Sequence, residues 1–179
     1  MTYTATQHQQ RTDTGALRTV ILFVATITTG LLAGIFVDWS NTIMPGLGDV
    51  DDRTFVATFR ALDEAITNPL FLSALMGAPL LIALSIALHF RADQRPVLIW
   101  VGVAMIAYLV MLAVTFGANV PVNEDLKAAG HLQSSADFAA ARAQFDETTW
   151  SAWNAVRAIS STIAFGCLAW ALLIHRRVR

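Results

Sequence analysis

Polar and aromatic residues that can recognise a flat small molecule are grouped where the last apolar stretch of this chain begins. Trp150, Asn154 and Arg157 follow one another at spacings of four and three residues, which places them on one face of a helix. A guanidinium group beside carboxamides can stabilise negative charge on an oxygen atom in a site of low dielectric constant. Indole rings can stack on an aromatic ring system. The pattern predicts a pocket that is apolar with a few placed polar groups.

Two other apolar stretches are expected to contribute to the same pocket. Thr115 and Asn119 share a helix face with Tyr108, because they follow it at seven and eleven residues. The Arg157 charge is costly inside a membrane unless paired. Asp38, at the end of the first apolar stretch, is one candidate partner, and Glu124, Asp125 or the carboxamides are others. The predicted catalytic residues are Arg157, Asn119, Asn123, Asn154 and Asp38, with Asp38 or Glu124 as the base, and the predicted ligand-binding residues are Trp150, Trp153, Tyr108 and Thr115.

Each of these residues also has a structural explanation that involves no ligand. Trp and Tyr are common at membrane interfaces, where they anchor a span. Asn and Arg at the start of a helix can cap it or extend their polar group to water. The convergence of so many of them at one end of the molecule favours the pocket.

Four apolar stretches are each long enough to cross a bilayer, at about residues 20–39, 70–90, 97–118 and 155–174. A transmembrane helix needs about 20 mostly apolar residues. The chain of 179 residues is 55% hydrophobic and only 14% charged, a composition typical of a small integral membrane protein. Its net charge of −1 indicates no nucleic-acid partner. We therefore predict an all-α, integral membrane four-helix bundle in the lipid bilayer.

The distribution of arginines predicts the orientation of the chain. They concentrate in the N-terminal tail, in the short loop between the second and third spans and at the C-terminus, whereas the two long loops are acidic. The positive-inside rule then places both termini in the cytoplasm of a plasma (inner) membrane protein. We predict a disordered cytoplasmic tail over residues 1–16 and a single four-span domain over 17–179, with outer loops at 40–69 and 119–154.

The first outer loop is expected to contain a turn and an amphipathic helix. Proline and glycine over Met44–Gly48 predict the turn. Asn68, followed by proline, is expected to cap the second span. The amphipathic helix is predicted over Asp51–Thr67, where apolar residues recur every three or four positions. These apolar residues are Phe55, Phe59, Leu62 and Ile66.

The second outer loop and the first span carry two further patterns. Strong helix formers follow Ser134 and predict a helix up to Phe145, which can run on into the fourth span. In the first span, Thr26, Gly30 and Gly34 place small residues at four-residue spacing on one face. Such a face allows close approach of another helix, either within the bundle or in a homodimer.

Several motifs occur in an order that resembles a known family. They include Asn119-x-Pro-x-Asn123 and Trp153-Asn154-x-x-Arg157, preceded by Gly30–Phe36, Met44–Leu47 and Asn68–Phe71. Together they resemble the anthrone-oxygenase-like family of small four-helix membrane proteins, whose bacterial members are mostly of unknown function. The resemblance implies oxidation of polycyclic anthrones to anthraquinones by dioxygen, with no obvious cofactor.

Two classes of function are open from the sequence. The first is a cofactor-independent oxygenase or oxidoreductase that oxidises or binds a lipophilic aromatic or quinol-type molecule at the outer face. The second is a non-catalytic membrane subunit that stabilises a larger complex with a membrane-protein partner. We expect no metal and no cofactor, because the four histidines show no metal-ligand spacing. A weaker alternative is a haem between His89 and His175, which both end helices on the cytoplasmic side.

Overall fold

The computed structural model describes residues 2–90 and 94–175, and for residues 2–14 it describes only the backbone. Every element of the described chain is a helix, which confirms the all-α prediction. The predicted disordered tail, residues 1–16, falls mostly on residues whose side chains are outside this description, and it stays a prediction. The elements are α1 (Thr2–Asp38), π1 (Trp39–Ile43), α2 (Met44–Gly48), α3 (Asp52–Ile66), α4 (Pro69–Leu88), α5 (Arg95–Val114), π2 (Thr115–Asn119), α6 (Val120–Ala128), α7 (Ser135–Phe145) and α8 (Glu147–His175).

Four stretches of the described chain are long and apolar enough to cross a membrane, which confirms the four predicted spans. They are Gly15–Gly48, Pro69–Leu88, Arg95–Ala128 and Glu147–His175. Helices α4 and α5 are apolar around their whole circumference, as expected of helices that face lipid on one side and protein on the other. Three of the spans are longer than predicted, because the helices continue beyond the apolar segment into polar residues.

The four long helices form a closed ring of packed neighbours. Helix α8 packs against α1 and α5, and α4 packs against the same two helices. Their shared core contains Leu22, Phe36, Ile82, Tyr108 and Leu168, all buried. At Gly30, a Cβ atom would lie 2.8 Å from the ring of Phe165, so α1 and α8 approach closely there. The same test at Gly34 finds no atom within 4 Å, so only part of the predicted small-residue face packs against a neighbour.

Helices α2, α3, α6 and α7 lie together at one end of the molecule, which we call the capped end. A second apolar cluster fills this end, and the rings of Phe59 and Phe145 approach to 4.6 Å between centroids. Arg60 of α3 donates through Nε to the carbonyl of Leu126 of α6 at 3.0 Å. The two long loops therefore fold onto each other rather than extending separately from the spans.

Arg142 of α7 holds the capped end to the chain that follows α2. Its guanidinium group donates to the carbonyl of Val50 at 2.7 Å and to the carboxylates of Asp52 and Glu147 at 3.2 and 2.5 Å. The same group lies 4.5 Å above the ring of Phe55. The hydrogen bond with Glu147 raises the pKa of Arg142 above its ordinary value, so this residue keeps its charge.

The predicted helix starts are confirmed by side-chain caps. Asn68 accepts from the amide of Phe71 at 3.0 Å, directly before α4. Ser134 and Asp137 form a reciprocal capping box at the start of α7. Helix α7 does not run on into α8, because Asp146 adopts a left-handed conformation with φ of 48° between them.

Two features of the chain differ from the expectations for the loops. Met44–Gly48 is a short helix rather than a turn, because the chain stays helical from α1 through π1 and Pro45 is accepted in the first turn of α2. The π segments π1 and π2 each follow a spanning helix at the capped end. Single π turns of this kind are frequent at functional sites.

Candidate functional site

A cavity of about 200 Å³ lies at the capped end, between the ends of the spanning helices and the cap. Most of its wall is apolar or aromatic, and a smaller number of charged and polar groups face it. This composition is typical of small-molecule sites. The lining residues are Phe36, Trp39, Asp63, Ile66, Thr67, Phe71, Leu72, Leu75, Thr115, Phe116, Val120, Asn123, Glu124, Lys127, Trp150 and Arg157.

Arg157 is the most deeply buried charged residue of this wall. It is only 6% exposed, and its Nε atom is buried without a hydrogen-bond partner. Its Nη2 atom donates to Oδ1 of Asn154 at 2.7 Å. The guanidinium group also lies 4.8 Å from the ring centre of Phe36 and 5.3 Å from that of Trp150. Arg157 therefore presents a desolvated positive charge with unused donor capacity beside two aromatic surfaces.

Asn154 fixes the position of this charge relative to the first span. Its Nδ2 atom donates to the carbonyl of Phe36 at 3.1 Å and to the hydroxyl of Ser40 at 2.8 Å. Its oxygen is left for Arg157, which lies one turn further along α8. The carboxamide of Asn154 thus connects α8 with the junction of α1 and π1, and it holds the guanidinium group over Phe36.

A second polar group faces the cavity from α3 and α6. Asp63 is 8% exposed, and its carboxylate accepts from Nδ2 of Asn123 at 2.7 Å and pairs with Nζ of Lys127 at 2.5 Å. Lys127 also pairs with the exposed carboxylate of Glu124 at 2.9 Å. Asn123 in turn accepts from the indole of Trp150 at 2.7 Å. This network holds the buried carboxylate of Asp63 in the same cavity as Arg157. The network contains more side chains than the Arg157–Asn154 pair.

The structure brings together most of the residues that the sequence selected on α6, α8 and π2. Arg157, Asn123, Trp150 and Thr115 line the cavity. Asn154 adjoins it through Arg157, as described above. Asn119 supports the wall from behind, because its Nδ2 atom donates to the carbonyl of Trp150 at 3.1 Å. Its Oδ1 atom is buried without a partner.

Three of the selected residues lie elsewhere. Asp38 is exposed and does not line the cavity, whereas Glu124, the other predicted base, lines it together with Asp63. Trp153 is 44% exposed on the outside of α8. Tyr108 is fully buried beside the cavity wall, where its hydroxyl donates to the carbonyl of Leu75 at 2.8 Å and joins α5 to α4.

Sequence reasoning missed Asp63, Lys127 and the aromatic residues of α1, π1 and α4. Asp63 could have been found, because it follows Phe55 and Phe59 at eight and four residues and thus falls on the apolar face of α3. A carboxylate on an apolar face is costly unless it is paired, and such a residue is a candidate for function. Lys127 gave no such indication, because its partner is on a different loop.

The histidine pair His89 and His175 is buried at the opposite end of the molecule. Nε2 of His89 lies 3.3 Å from Nδ1 of His175, and the two rings are perpendicular with centroids 5.0 Å apart. A porphyrin does not fit between two rings that are hydrogen-bonded to each other, so this pair does not fit the haem alternative. Within residues 2–90 and 94–175, no group of three or more His, Cys, Asp or Glu side chains could hold a metal ion.

Fold and site together define a helical, multi-pass membrane protein with a partly open cavity at one end. The family model for anthrone oxygenase matches residues 69–167, which is more than half of the chain, and the chain therefore belongs to the anthrone oxygenase family. The matched range includes Asn123 and Arg157 but not Asp63. Comparison with the curated proteins and with the solved structures gives no match.

Proposed function

We propose that this cavity binds a flat, lipophilic aromatic molecule of the anthrone or quinol type and oxidises it with dioxygen. The observation that carries the proposal is the buried guanidinium group of Arg157, which has an unpartnered Nε and lies against the rings of Phe36 and Trp150. A desolvated cation is costly without an anionic partner. An aromatic substrate that becomes an enolate or phenolate supplies both a ring for the aromatic surfaces and an oxygen anion for Arg157.

In the proposed reaction, Asp63 acts as the base. It removes a proton from the acidic CH₂ group of an anthrone. The resulting negative charge is delocalised onto the carbonyl oxygen, where Arg157 stabilises it. The enolate transfers one electron to dioxygen, and the radical pair combines to a peroxide anion at the same carbon. This anion takes up the proton from Asp63 and becomes a hydroperoxide. Loss of water then breaks the O–O bond and forms the new carbonyl. One dioxygen is consumed per anthrone; one oxygen atom is retained, and the other leaves as water with the two hydrogens of the CH₂ group.

The position of Asp63 also allows its proton to exchange with water. Its partner Lys127 is one-third exposed, and Glu124 beside it is exposed to a greater extent. A proton held by Asp63 can therefore equilibrate with water near this ion pair, although the reaction as a whole releases none. The hydrogen bond from Asn123 keeps the carboxylate oriented between turnovers.

The experiment uses purified protein in lipid nanodiscs with anthrone as the substrate. Dioxygen uptake and the absorbance of anthraquinone are followed, with protein-free nanodiscs as the reference for autoxidation. We expect Asp63→Asn to lower the enzymatic rate by about 100-fold or more, whereas Glu64→Gln on the exposed face of the same helix leaves it unchanged. Arg157→Met is expected to lower the rate similarly, with the exposed Arg53→Met as its control.

A wild-type rate equal to that of protein-free nanodiscs would contradict oxidation of anthrone. Mass spectrometry of small molecules extracted from wild type and Arg157→Met then tests ligand binding separately. An aromatic molecule that is present in the wild type and absent from the variant supports the pocket without the reaction. If the extracts of the wild type and of the variant both contain only bulk lipid, the result would favour a non-catalytic membrane subunit.

We also propose that residues 17–179 form one membrane domain of the plasma membrane with both termini in the cytoplasm. The excess of arginine at the termini over the long loops supports this orientation. The capped end and its cavity then face outward. A reporter enzyme that folds only in the cytoplasm, fused after Arg179, is expected to be active; activity of a reporter that folds only outside would reverse the orientation.

A further inference from the structure

We infer that the cavity receives its ligand from the lipid phase, through a lateral opening between Leu72 of α4 and Phe116 of π2. The inference rests on the proposed function for the class of ligand, and it adds the route and the shape of the molecule. Both residues line the cavity, and they are 42% and 54% exposed. Each belongs to a stretch that is long and apolar enough to cross a membrane. On this side the cavity is therefore bordered by exposed apolar side chains of two candidate membrane spans, as a surface in contact with lipid would be.

The packing of the helices explains why an opening lies at this place. Helix α4 packs against α1 and α5, whereas π2 packs against α5, α6 and α8. Helix α4 begins at Pro69, directly after the cap of Asn68, and Leu72 lies in its first turn. The floor of the opening is apolar, because Phe71 and Leu75 of α4 also line the cavity.

The rim of the cavity differs on its two sides. Leu72 and Phe116 form an apolar rim, whereas Thr67, Glu124 and Lys127 form a polar rim towards the cap. The cavity of about 200 Å³ is smaller than the roughly 300–1,000 Å³ that enclose a drug-sized ligand. A molecule with three fused aromatic rings would therefore be only partly enclosed, with part of its ring system in the cavity and the rest in the opening. The ligand class that fits is a flat amphiphile with its polar substituents along one edge.

The test measures access to the cavity directly and needs no turnover. In a Cys167→Ala background, Thr115→Cys places a thiol in the cavity wall, and labelling is followed in proteoliposomes. The lipid-borne probe is N-dodecylmaleimide, and the water-borne probe is the charged sulfonatoethyl methanethiosulfonate. The opening is narrowed by Leu72→Trp or by Phe116→Trp. The control is Leu80→Trp. Leu80 lies on α4, is 70% exposed and does not line the cavity.

We expect Leu72→Trp and Phe116→Trp to slow labelling by the lipid-borne probe at least about tenfold. Leu80→Trp is expected to leave that rate unchanged, and the charged probe, which can enter past the polar rim, is expected to react at the same rate in every variant. Equal labelling by the lipid-borne probe in Leu72→Trp and Leu80→Trp, or equal slowing of both probes by Leu72→Trp, would overturn the lateral route. Thermal unfolding of each variant shows that the comparison is made between folded proteins.

The two proposals fail in different ways. If narrowing the opening does not change labelling while anthrone is still oxidised, the lateral route is wrong and the proposed function stands. If labelling follows the lipid route but anthrone is not oxidised, the proposed function is wrong and the opening still admits a membrane-dissolved molecule.

Discussion

The indole of Trp150 donates through Nε1 to Oδ1 of Asn123 at 2.7 Å, and this bond joins α8 to α6 across the cavity wall. The other end of the same carboxamide donates to Asp63 of α3 at 2.7 Å. Because an indole can only donate and a carboxylate accepts, the two partners determine which atom of the Asn123 carboxamide is oxygen and which is nitrogen. One side chain thus orients the proposed base relative to the helix that carries Arg157.

Trp150→Phe removes this donor and keeps an aromatic ring in place. Oδ1 of Asn123 is then left without its partner in a buried site, and we expect a loss of about 1–3 kcal/mol in the free energy of unfolding. The measurement is unfolding by denaturing detergent from mixed micelles. Trp153→Phe is the matched control, since Trp153 is 44% exposed. Equal losses in the two variants would show that ring size, rather than the hydrogen bond, determines the effect.

Gly30→Leu tests the contact between α1 and α8. A Cβ atom at this position would already lie 2.8 Å from the Phe165 ring, so a larger side chain forces the helices apart. We expect a destabilisation of about 1–3 kcal/mol. Gly34→Leu is one turn further along α1, where no atom lies within 4 Å of the added Cβ, and it is expected to be tolerated. The measurement is the midpoint of thermal unfolding of each variant in detergent. A midpoint for Gly34→Leu below that of Gly30→Leu would contradict the observed contact between α1 and α8.

Arg142→Lys keeps the charge and removes the planar fork. A single ammonium group cannot reach the Val50 carbonyl, Asp52 and Glu147 together, so we expect α7 to loosen from the start of α3. The measurement is hydrogen exchange by mass spectrometry, with faster exchange expected in α7 and unchanged exchange in the spanning helices. Arg53→Lys, at an exposed position on α3, is the control. Unchanged exchange in α7 would mean that apolar contacts alone hold the cap.

The start of α7 is expected to depend on acid. Hydrogen bonds from the amide and hydroxyl of Ser134 hold the pKa of Asp137 below its ordinary value of 3.8. The stabilisation by this carboxylate is therefore present above the unfolded pKa and is lost as the pH falls through the lower pKa of the folded state. Backbone chemical shifts of Ser134 and Asp137, followed in an acid titration, measure this loss.

Asp137→Asn is expected to make those shifts independent of pH in the acid range, whereas Asp125→Asn on the exposed face of α6 leaves the titration as in the wild type. A titration of Ser134 that persists in Asp137→Asn would assign the effect to a different carboxylate.

The parts of the structure that follow from local patterns could be predicted from the sequence. Long apolar runs predict spans, and Asn68 or Ser134 before a helix former predicts a start, because each depends on neighbours within one turn. The α8 part of the site followed from helical spacing in the same way. Asp38 is predicted from its place one turn beyond Gly34 on the first span, and Asp63 is not among the predicted site residues. That Asp63 faces the cavity depends on how α3 folds back over it, which is set by packing between distant segments.

The π segments were not predictable for a related reason. A π turn has no characteristic residue pattern of its own, and it is retained where the surrounding packing compensates for its weaker geometry. Thr115 and Asn119 both lie in π2, so their directions relative to α5 could not be read from a helical repeat.

Each π segment is equivalent to a single inserted residue in an otherwise regular helix. One residue corresponds to a rotation of about 100° around the helix axis. Deleting one residue from π2 would restore regular winding, and it would turn Asn123 and Lys127 on α6 away from Asp63. The spans, their length and their hydropathy would hardly change. In this protein a change of one residue in chain length is therefore expected to alter the cavity more than many substitutions do. The site depends on the rotational register of α6 relative to α5 as well as on the identity of its residues.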